Sequence, residues 1–102
     1  MESYYAVIFS SKRSNVGQKG YDAMSEKMVK LAKQQPGFID VESARDERGF
    51  GITVSYWESL EAIKQWKEHA VHKAAQEKGK EVWYDHYTTR ICKIEREYSF
   101  KK

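Results

Sequence analysis

The chain lacks the features of disulfide-rich, secreted and membrane-spanning proteins. Its one cysteine, Cys92, cannot form an intrachain disulfide, which excludes a disulfide framework and favours a reducing cytosol. No apolar run approaches the roughly 20 residues that a membrane-spanning helix needs. The first residues, MESYYAVIFSSKR, have no positive region ahead of the apolar ones, so they are not a signal peptide. We therefore expect a cytoplasmic protein that does not enter a membrane.

An excess of one charge sign is also absent. The chain carries 18 basic and 15 acidic residues, a net charge of +3, and the two signs are interspersed. A nucleic-acid-binding domain needs a basic patch or stripe along the phosphates, and the sequence has no run of that kind. Nucleic acid is therefore not an expected partner.

Length and aromatic content limit the architecture. With 102 residues, the chain is expected to form one domain over residues 1–102, near the lower size limit for a comfortable core. Aromatic residues nevertheless make up 14% of the sequence. In so small a domain, extra aromatic surface often lines a pocket or a subunit interface.

The short motifs of common catalytic sites are missing. The sequence has no G-x-S-x-G, C-x-x-C or Walker motif. Gly49-Phe50-Gly51 is predicted to be part of a hairpin, because no helix follows it to bind a phosphate. Cys92 falls inside a predicted strand, away from any helix N-terminus, so a buried thiol is expected rather than a nucleophile.

Hydrophobic periodicity predicts an α+β domain with the element order β-α-β-β-α-β. Alternation predicts strands, steps of three and four between apolar residues predict helices, and Pro36-Gly37 ends the first helix. Ser59 is the predicted N-cap of the second helix. This order is typical of the ferredoxin-like fold, a four-stranded antiparallel sheet with both helices on one face. The predicted strands cover residues 4–11, 38–45, 50–56 and 84–100, and the predicted helices cover residues 21–35 and 59–78.

The predicted last strand is longer than the others. Its 17 residues would extend over roughly 50 Å, far more than a small sheet requires. The apolar residues also change parity along it, which a β-bulge near Cys92 would explain. Two interpretations stay open: the end of the strand crosses to a second subunit, or the strand is shorter and its tail is frayed.

Two helices can cover only one face of the predicted sheet. On the third strand, one face carries only apolar and aromatic side chains, those of Phe50, Ile52, Val54 and Tyr56. A second copy packed on the same face would bury them, which predicts a twofold-symmetric homodimer. The space for a ligand is then expected between each sheet and its own helices.

Residues 55–87 hold all three tryptophans and all three histidines. Placed on a helix, the second predicted helix shows two stripes. The apolar stripe is expected to face the sheet, with Trp66 beside it, and comprises Leu60, Ile63, Ala70, Val71 and Ala74. The polar stripe lies on another side and comprises Gln65, His69, His72 and Gln76.

Four interpretations of this region stay open. His69 and His72 could share a metal ion with His86, although the helical H-E-x-x-H spacing is absent. They could instead transfer protons in acid–base catalysis on a small organic substrate. Either could supply an axial ligand to haem. In the fourth interpretation, the histidines lie on the surface and the tryptophans belong to the core.

The acid–base interpretation requires a pocket for a planar aromatic compound. Large aromatic side chains provide such a lining, and the sequence offers several near the two histidines. The expected lining residues are Trp57, Trp66, Trp83, Phe9 and Tyr56.

Several motifs resemble one known family over nearly the whole chain. They are Pro36-Gly37-Phe38 after the first helix, Ser55-Tyr56-Trp57-Glu58-Ser59 before the second, Ala62-Ile63 and Trp66-Lys67 within it, and then His69 and His72. The series is similar to the antibiotic biosynthesis monooxygenase family, and most of all to its small bacterial members. The resemblance implies a dimeric α+β barrel in which two ferredoxin-like subunits pack sheet to sheet and the last strand reaches the partner.

The resemblance also implies two kinds of chemistry. Some members oxidise polycyclic phenols to quinones without metal or flavin, with the substrate anion activating oxygen. Others cleave haem, and that branch has an Asn on the first strand, a Trp on the second helix and a His beyond it. Trp66 is similar to that Trp, and His69 or His72 lies near the expected His, but the first strand has no Asn.

We therefore expect a homodimeric, cofactor-independent monooxygenase that acts on a small aromatic or polycyclic compound. His69 and His72 are the expected catalytic residues, which accept the proton of a substrate hydroxyl. No metal ligand is expected. The expected substrate-binding residues are Trp66, Trp57, Trp83, Phe9, Tyr56 and Gln76. The alternatives are a haem-binding or haem-degrading protein, and a module that binds a small molecule without catalysis.

Overall fold

The computed structural model describes residues 3–14, 18–77 and 84–102, and for residues 18–24 and 71–77 it describes the backbone alone. Within these ranges, strands and helices follow one another in the predicted order. The strands are β1 (Tyr4–Arg13), β2 (Phe38–Arg45), β3 (Phe50–Trp57) and β4 (Tyr84–Ile94), and the helices are α1 (Gln18–Lys33) and α2 (Leu60–Glu77). Neither helix in these ranges is both long and apolar enough to cross a membrane.

The four strands form one antiparallel sheet in the order β2-β3-β1-β4. β1 is a central strand: it pairs with β3 on one side and with β4 on the other. β2 and β3 are joined as a hairpin at one edge. This is the ferredoxin-like α+β fold that the sequence predicts, and the prediction is confirmed.

The hydrophobic core lies on the face of the sheet that carries the helices. Trp57 is 0% exposed and Ile63 is 3% exposed, and both belong to one buried cluster with an alanine from each helix, Ala32 and Ala62. Around this cluster pack the partly buried side chains of Tyr5, Val7, Phe38 and Trp66. α1 contacts β2 and α2 contacts β3, so the core lies under the two helices on the β2–β3 half of the sheet.

The other face, which we call the open face, carries the alternate set of side chains. Phe50, Ile52, Val54 and Tyr56 lie on it together, as predicted from their spacing. Phe50 and Ile52 remain 48% and 51% exposed, because neither described helix packs on this side. The remaining members of the face are Tyr4, Ala6, Ile8, Ser10 and Lys12 of β1, Asp40, Glu42 and Ala44 of β2, and His86, Thr88, Arg90, Cys92 and Ile94 of β4.

Three predicted boundaries in the first third of the chain were wrong by two or three residues. β1 continues to Arg13, because the backbone N–H of Arg13 donates to the Gly49 carbonyl at 2.9 Å and prolongs the ladder. α1 begins at Gln18 and ends at Lys33, earlier at both ends than predicted. Beyond Lys33, the N–H of Gln35 bonds to a carbonyl only three residues back, at 3.0 Å, which is a tighter turn than an α-helix makes.

The last strand is shorter than the sequence predicts. β4 ends at Ile94, which pairs with Tyr4, the first residue of β1, so the sheet has no partner for residues 95–102. The β-bulge expected near Cys92 is also wrong: the register is regular there, and the one irregularity falls between Lys12 and Arg13. The shorter strand is one of the two interpretations that the sequence left open. The crossing of the tail to a second subunit stays a prediction.

The turn between α1 and β2 contacts the start of α2. Gly37 has a φ of 85°, and its carbonyl accepts a hydrogen bond from the Glu58 N–H at 2.8 Å. A Cβ atom on residue 37 would lie 2.7 Å from the Cβ of Ala62, which is too close for two carbon atoms. The turn therefore reaches α2 only because residue 37 has no side chain.

The β2–β3 hairpin closes through the side chain of Asp46. Its Oδ1 atom accepts hydrogen bonds from the Arg48 N–H at 2.9 Å and from the Phe50 N–H at 3.0 Å. Gly49 has a φ of 92°, a conformation that residues with a side chain rarely adopt. The hairpin predicted around Gly49-Phe50-Gly51 is confirmed, and its turn follows from local chemistry alone.

Ser59 caps α2, as predicted. Its hydroxyl accepts a hydrogen bond from the Ala62 N–H at 3.0 Å, which satisfies one of the free amides in the first turn. We expect Ser59→Ala to lower the free energy of unfolding by about 1 kcal/mol. Urea denaturation would measure the loss, with Ser59→Asp as a control that retains an acceptor. Equal stability of the alanine variant and the parent protein would contradict the capping role.

The predicted sheet-facing stripe of α2 is only partly correct. Leu60 is 55% exposed, whereas Ala62 and Ile63 are buried and Trp66 packs against the core. The helix is turned so that the large Trp66 ring, rather than Leu60, stacks on Trp57. The orientation of α2 therefore follows the packing of Trp66 on Trp57 and not the mean direction of its apolar side chains.

Candidate functional site

Three aromatic rings form a continuous stack from the core to the surface, which we call the aromatic stack. The rings of Trp57 and Trp66 lie 5.9 Å apart between centroids, at an interplanar angle of 22°. The Trp66 ring and the His69 imidazole follow at 6.2 Å and 28°. Burial falls along the stack, from Trp57 with no exposure, through the half-buried Trp66, to the exposed His69. An imidazole is therefore held at the solvent end of an aromatic surface.

The inner end of the stack is structural. The Trp57 indole N–H donates to the Ser55 hydroxyl at 2.8 Å, and the ring meets Phe38 edge-on at 5.5 Å. Because Trp57 is 0% exposed, it cannot touch a ligand in this arrangement. Trp66 and His69 are the members of the stack that a ligand can reach.

The polar stripe of α2 is only partly described. His69 and Gln65 are both exposed, and the Gln65 amide donates to the Glu61 carboxylate at 3.4 Å, one helical turn away. His72 and Gln76 lie in α2, one and two turns beyond His69, but their side chains are outside the described part of the structure. Trp83 is also outside the described residues. The roles expected for these three residues stay predictions.

A second group of aromatic rings lies on the helix side of β1 and β4, and we call it the aromatic cluster. Phe9 contacts Tyr84 edge-on at 5.5 Å and stacks on Tyr87 at 5.3 Å, and the two tyrosines lie 5.7 Å apart. In a regular strand, residues three apart point to opposite faces, so Tyr84 and Tyr87 should not meet. The register shift opposite Arg13 brings both to the ring of Phe9.

The aromatic cluster lies on the half of the sheet that the described helical contacts leave more open. α1 and α2 contact β2 and β3, while on β4 Tyr87 is 37% exposed and Ile91 is 49% exposed. Phe9 was among the predicted lining residues, but Tyr84 and Tyr87 were not. The signal that would have found them is the β1–β4 register, which the sequence alone does not provide.

Tyr56 lies on the opposite face of the sheet from the aromatic stack and the aromatic cluster. It lies on the open face, where its ring is 6.1 Å from Tyr4 and its hydroxyl donates to the Glu42 carboxylate at 3.3 Å. Because successive strand residues point to opposite faces, Tyr56 cannot line one pocket with Trp57, and that part of the prediction was wrong.

Burial, and then the Glu42 carboxylate, raises the pKa of the Tyr56 phenol. Burial and the Glu97 carboxylate likewise raise the pKa of Tyr4. Both phenols therefore stay protonated at neutral pH.

His86 is likewise on the open face, across the sheet from α2. Its ring is 6.2 Å from Phe50, and the Lys12 ammonium lies 5.5 Å from the centre of the same Phe50 ring. His86 therefore cannot complete a metal site with His69. Among the side chains that the structure describes, no group of three or more His, Cys, Asp and Glu residues is arranged to hold a metal ion.

The depressions found among the described residues lie on the open face. One is lined by Ser10, Phe50, Ile52, His86 and Thr88, among others. The other lies at the opposite end of the strands, between Tyr4 and Tyr56, and is bordered by Ile39, Asp40, Glu42, Ile94, Arg96 and Glu97. The expected ligand space between sheet and helices is distinct from both and stays a prediction, since residues 18–24 of α1 and 71–77 of α2 are described by their backbone alone.

The chain is similar to known proteins in both sequence and fold. The family model "Antibiotic biosynthesis monooxygenase" matches residues 18–78, which include both helices and the β2–β3 hairpin between them. The chain belongs to the antibiotic biosynthesis monooxygenase family. It is 52% identical to "Uncharacterized protein YqjZ" of Bacillus subtilis (strain 168) over 99 residues, which are 97% of this chain and 86% of that protein.

Solved structures share the fold at low sequence identity. PA3566 from Pseudomonas aeruginosa matches with a TM-score of 0.73 and 13% identity, over 96% of this chain and 98% of that one. SnoaB from Streptomyces nogalater, described as a cofactor-independent oxygenase, matches with a TM-score of 0.66 and 9% identity over 100% of both chains. At such identities the likeness shows the fold alone.

Proposed function

We propose that residues 1–102 form one domain that acts as a cofactor-independent monooxygenase on a small aromatic or polycyclic compound. The observation that carries the proposal is the aromatic stack, which presents the exposed imidazole of His69 beside the half-buried ring of Trp66. Family membership supports the class of reaction, and SnoaB shows that this fold is compatible with oxygenation without a cofactor.

In the proposed reaction, the protein supplies a surface and a base. Trp66 holds the planar substrate, and His69 or His72 accepts the proton of a substrate hydroxyl. The resulting anion is electron-rich enough to react with O2. One oxygen atom becomes the new quinone carbonyl and the other leaves as water, so a phenol and O2 yield a quinone and water without an external reductant.

The first test is histidine replacement, with a built-in control. We expect His69→Ala or His72→Ala to lower kcat for a polycyclic phenol by about 10²-fold or more, the usual contribution of a positioned base. Lys64→Ala is the control, because Lys64 is an exposed residue of α2 that lies outside the proposed dimer face, and it should retain the parent rate. Oxygen uptake and quinone absorbance would give the rates. Parent rates in both His69→Ala and His72→Ala would place the base elsewhere.

The second candidate function is binding of an aromatic compound without turnover, and the aromatic stack supports it. The aromatic stack offers a surface for a ring whether or not a proton is transferred. Anaerobic titration with the phenol, followed by tryptophan fluorescence, measures binding separately from oxidation, and Trp66→Phe should weaken it. A haem titration distinguishes the remaining alternative, because binding through His69 or His72 would shift the Soret band and the matching alanine variant would abolish the shift.

The proposed active form is a homodimer joined through the open face and the C-terminal tail. Phe50 and Ile52 are half exposed on that face, and Tyr98 and Phe100 in the tail are 87% and 88% exposed. Covering these apolar side chains with a second copy would remove them from water. Light scattering would show the dimer as twice the 12.0 kDa mass of the chain, and a monomer at micromolar concentration would contradict it.

We also propose the cytosol as the location of the protein. Cys92 is a free, half-buried thiol in β4, and a reducing compartment preserves such a thiol.

A further inference from the structure

The side chain of Arg45 crosses β3 on the helix side of the sheet. Arg45 is the last residue of β2, and it pairs with Gly51 of β3. A Cβ atom on residue 51 would lie 2.6 Å from the Cζ atom of Arg45 and 2.8 Å from its Nη2 atom, so the guanidinium lies directly over Gly51. A glycine at this point of the strand is what allows so close an approach.

The guanidinium is held in position beyond Gly51. Its Nη2 atom donates to the Ser11 hydroxyl at 3.2 Å, and its Nη1 atom donates to the Gly49 carbonyl. Ser11 belongs to the central strand β1 and is only 4% exposed, so the head group lies over the middle of the sheet rather than at its edge. Both of these acceptors are neutral oxygens, so the two hydrogen bonds orient the positive charge without cancelling it.

The aromatic cluster borders this charge. Ser11 pairs with Tyr87 of β4, and Phe9 lies two residues from Ser11 on the same side of β1. One row on the helix side therefore runs from Arg45 across Gly51 and Ser11 to Tyr87. Tyr87 is 37% exposed, and Arg45 is half-buried. A positioned guanidinium thus lies beside a partly exposed aromatic surface.

A guanidinium next to aromatic rings suits one class of ligand. The planar fork of N–H groups on an arginine matches the two oxygens of a carboxylate, and such charge-assisted hydrogen bonds are stronger than neutral ones. Aromatic side chains pack well against a planar ring. We propose that this site binds an aromatic carboxylic acid, with the carboxylate at Arg45 and the ring against Phe9 and Tyr87. Calling that acid the substrate rests on the proposed function.

The position of the site along the sheet bears on the shape of the ligand. Gly51 and Trp57 lie on the same side of β3, six residues apart, which is about 20 Å along the strand. The guanidinium and the inner end of the aromatic stack are therefore at opposite ends of the helix-side surface. An elongated polycyclic acid suits this separation better than a single ring does. Arg45 then determines which compounds bind, and proton transfer belongs to the histidines.

Two probes with the same ring system and different charge test the site. Anthracene-2-carboxylate is expected to bind the parent protein about tenfold or more tightly than anthracene-2-methanol, because only the carboxylate makes charge-assisted hydrogen bonds. Arg45→Gln should weaken binding of the carboxylate about tenfold and leave binding of the alcohol unchanged. The fluorescence anisotropy of the anthracene measures both affinities. Neither probe carries a phenolic hydroxyl, so no turnover is needed.

Two further variants separate ligand recognition from the structural bonds of Arg45. Gly51→Ala retains the arginine but displaces its flexible head group, so it should also abolish the preference for the carboxylate. Arg48→Gln is the matched control, because it removes the same charge from an exposed arginine of the same hairpin, and it should retain the preference. Circular dichroism of each variant confirms folding.

The outcomes separate this inference from the proposed function. Equal affinity of the parent protein for the two probes, or binding of neither, would overturn it. Equal weakening of both probes in Arg45→Gln would show a structural role alone, and loss of the preference in Arg48→Gln would show a general effect of charge. A preference that survives in Gly51→Ala would place the carboxylate elsewhere. If the probes behave as expected but no polycyclic phenol consumes oxygen, the proposed function fails and the binding site stands.

Discussion

Replacing Trp57 with alanine is expected to lower the free energy of unfolding by about 3–5 kcal/mol. The side chain is 0% exposed, touches both Phe38 and Trp66 through its ring, and is the largest fully buried residue in the described structure. Its removal would leave a cavity between the sheet and α2 that small neighbours such as Ala32 and Ala62 cannot fill. Domains of this size are stable by only about 5–15 kcal/mol, so the loss would be a large share of the total.

Urea denaturation followed by circular dichroism would measure this change. Leu60→Ala is the matched control, because Leu60 is also an apolar residue near the start of α2 but is 55% exposed, and it should cost about 0.5 kcal/mol or less. Ser55→Ala adds a second comparison, since it leaves the buried indole N–H without its acceptor, a loss of about 1–3 kcal/mol. Equal effects of Trp57→Ala and Leu60→Ala would contradict the described core.

Gly37→Ala is expected to lower the free energy of unfolding by about 3 kcal/mol. A left-handed backbone costs an alanine about 1–2 kcal/mol, and forcing a methyl group into a filled space costs about 1–3 kcal/mol more. Both penalties apply here, because Gly37 has a φ of 85° and its Cβ would lie 2.7 Å from that of Ala62. Thermal or urea unfolding of the variant would measure the sum.

Gly49 provides the control that separates the two penalties. Its φ is 92°, but the nearest atom to a new Cβ is the Arg13 carbonyl oxygen at 3.3 Å, so Gly49→Ala should show mainly the backbone strain. Adding Ala62→Gly to the Gly37→Ala variant should restore the part caused by the clash, measured as a coupling energy in a double-mutant cycle. A coupling energy of zero would show that the α1–β2 turn does not press on α2.

The elements that depend on neighbouring residues could be predicted from the sequence. Ser59 and Asp46 act on amides within a few positions of themselves, so their roles follow from local chemistry. The element order follows from periodicity for the same reason, because each strand or helix shows its own pattern. The open face was also predictable, since alternation along β3 alone groups Phe50 with Ile52 and their partners.

The features that depend on distant pairing could not be predicted in this way. The end of β4 is determined by Tyr4, which pairs with Ile94 across almost the whole chain. The meeting of Tyr84 and Tyr87 depends on an irregularity opposite Arg13, and the orientation of α2 depends on the fit of Trp66 against Trp57. Local patterns carry no information on these contacts, because each is decided by the shape of a partner far away in sequence.

In the candidate site too, local features could be predicted from the sequence and the pairing of distant residues could not. The family resemblance and the spacing of His69 and Trp66 identified residues that the structure brings together in one stack. Tyr56 was grouped with Trp57 as one of the aromatic side chains near the histidines, and the two are separated in space because adjacent strand residues point to opposite faces. His86 was grouped with the other histidines for its chemistry alone, and the topology places it across the sheet.

The central position of β1 has a consequence for the synthesis of the protein. β1 is made first, yet one of its two neighbours is β4, the last strand of the sheet. While the chain is still growing on the ribosome, β3 can pair with one side of β1, but the other side remains an unsatisfied edge until Tyr84–Ile94 emerges. Closing that pairing spans most of the chain, so the final step of folding is non-local and comparatively slow. Over that interval the exposed edge of β1 is a template on which another chain can pair.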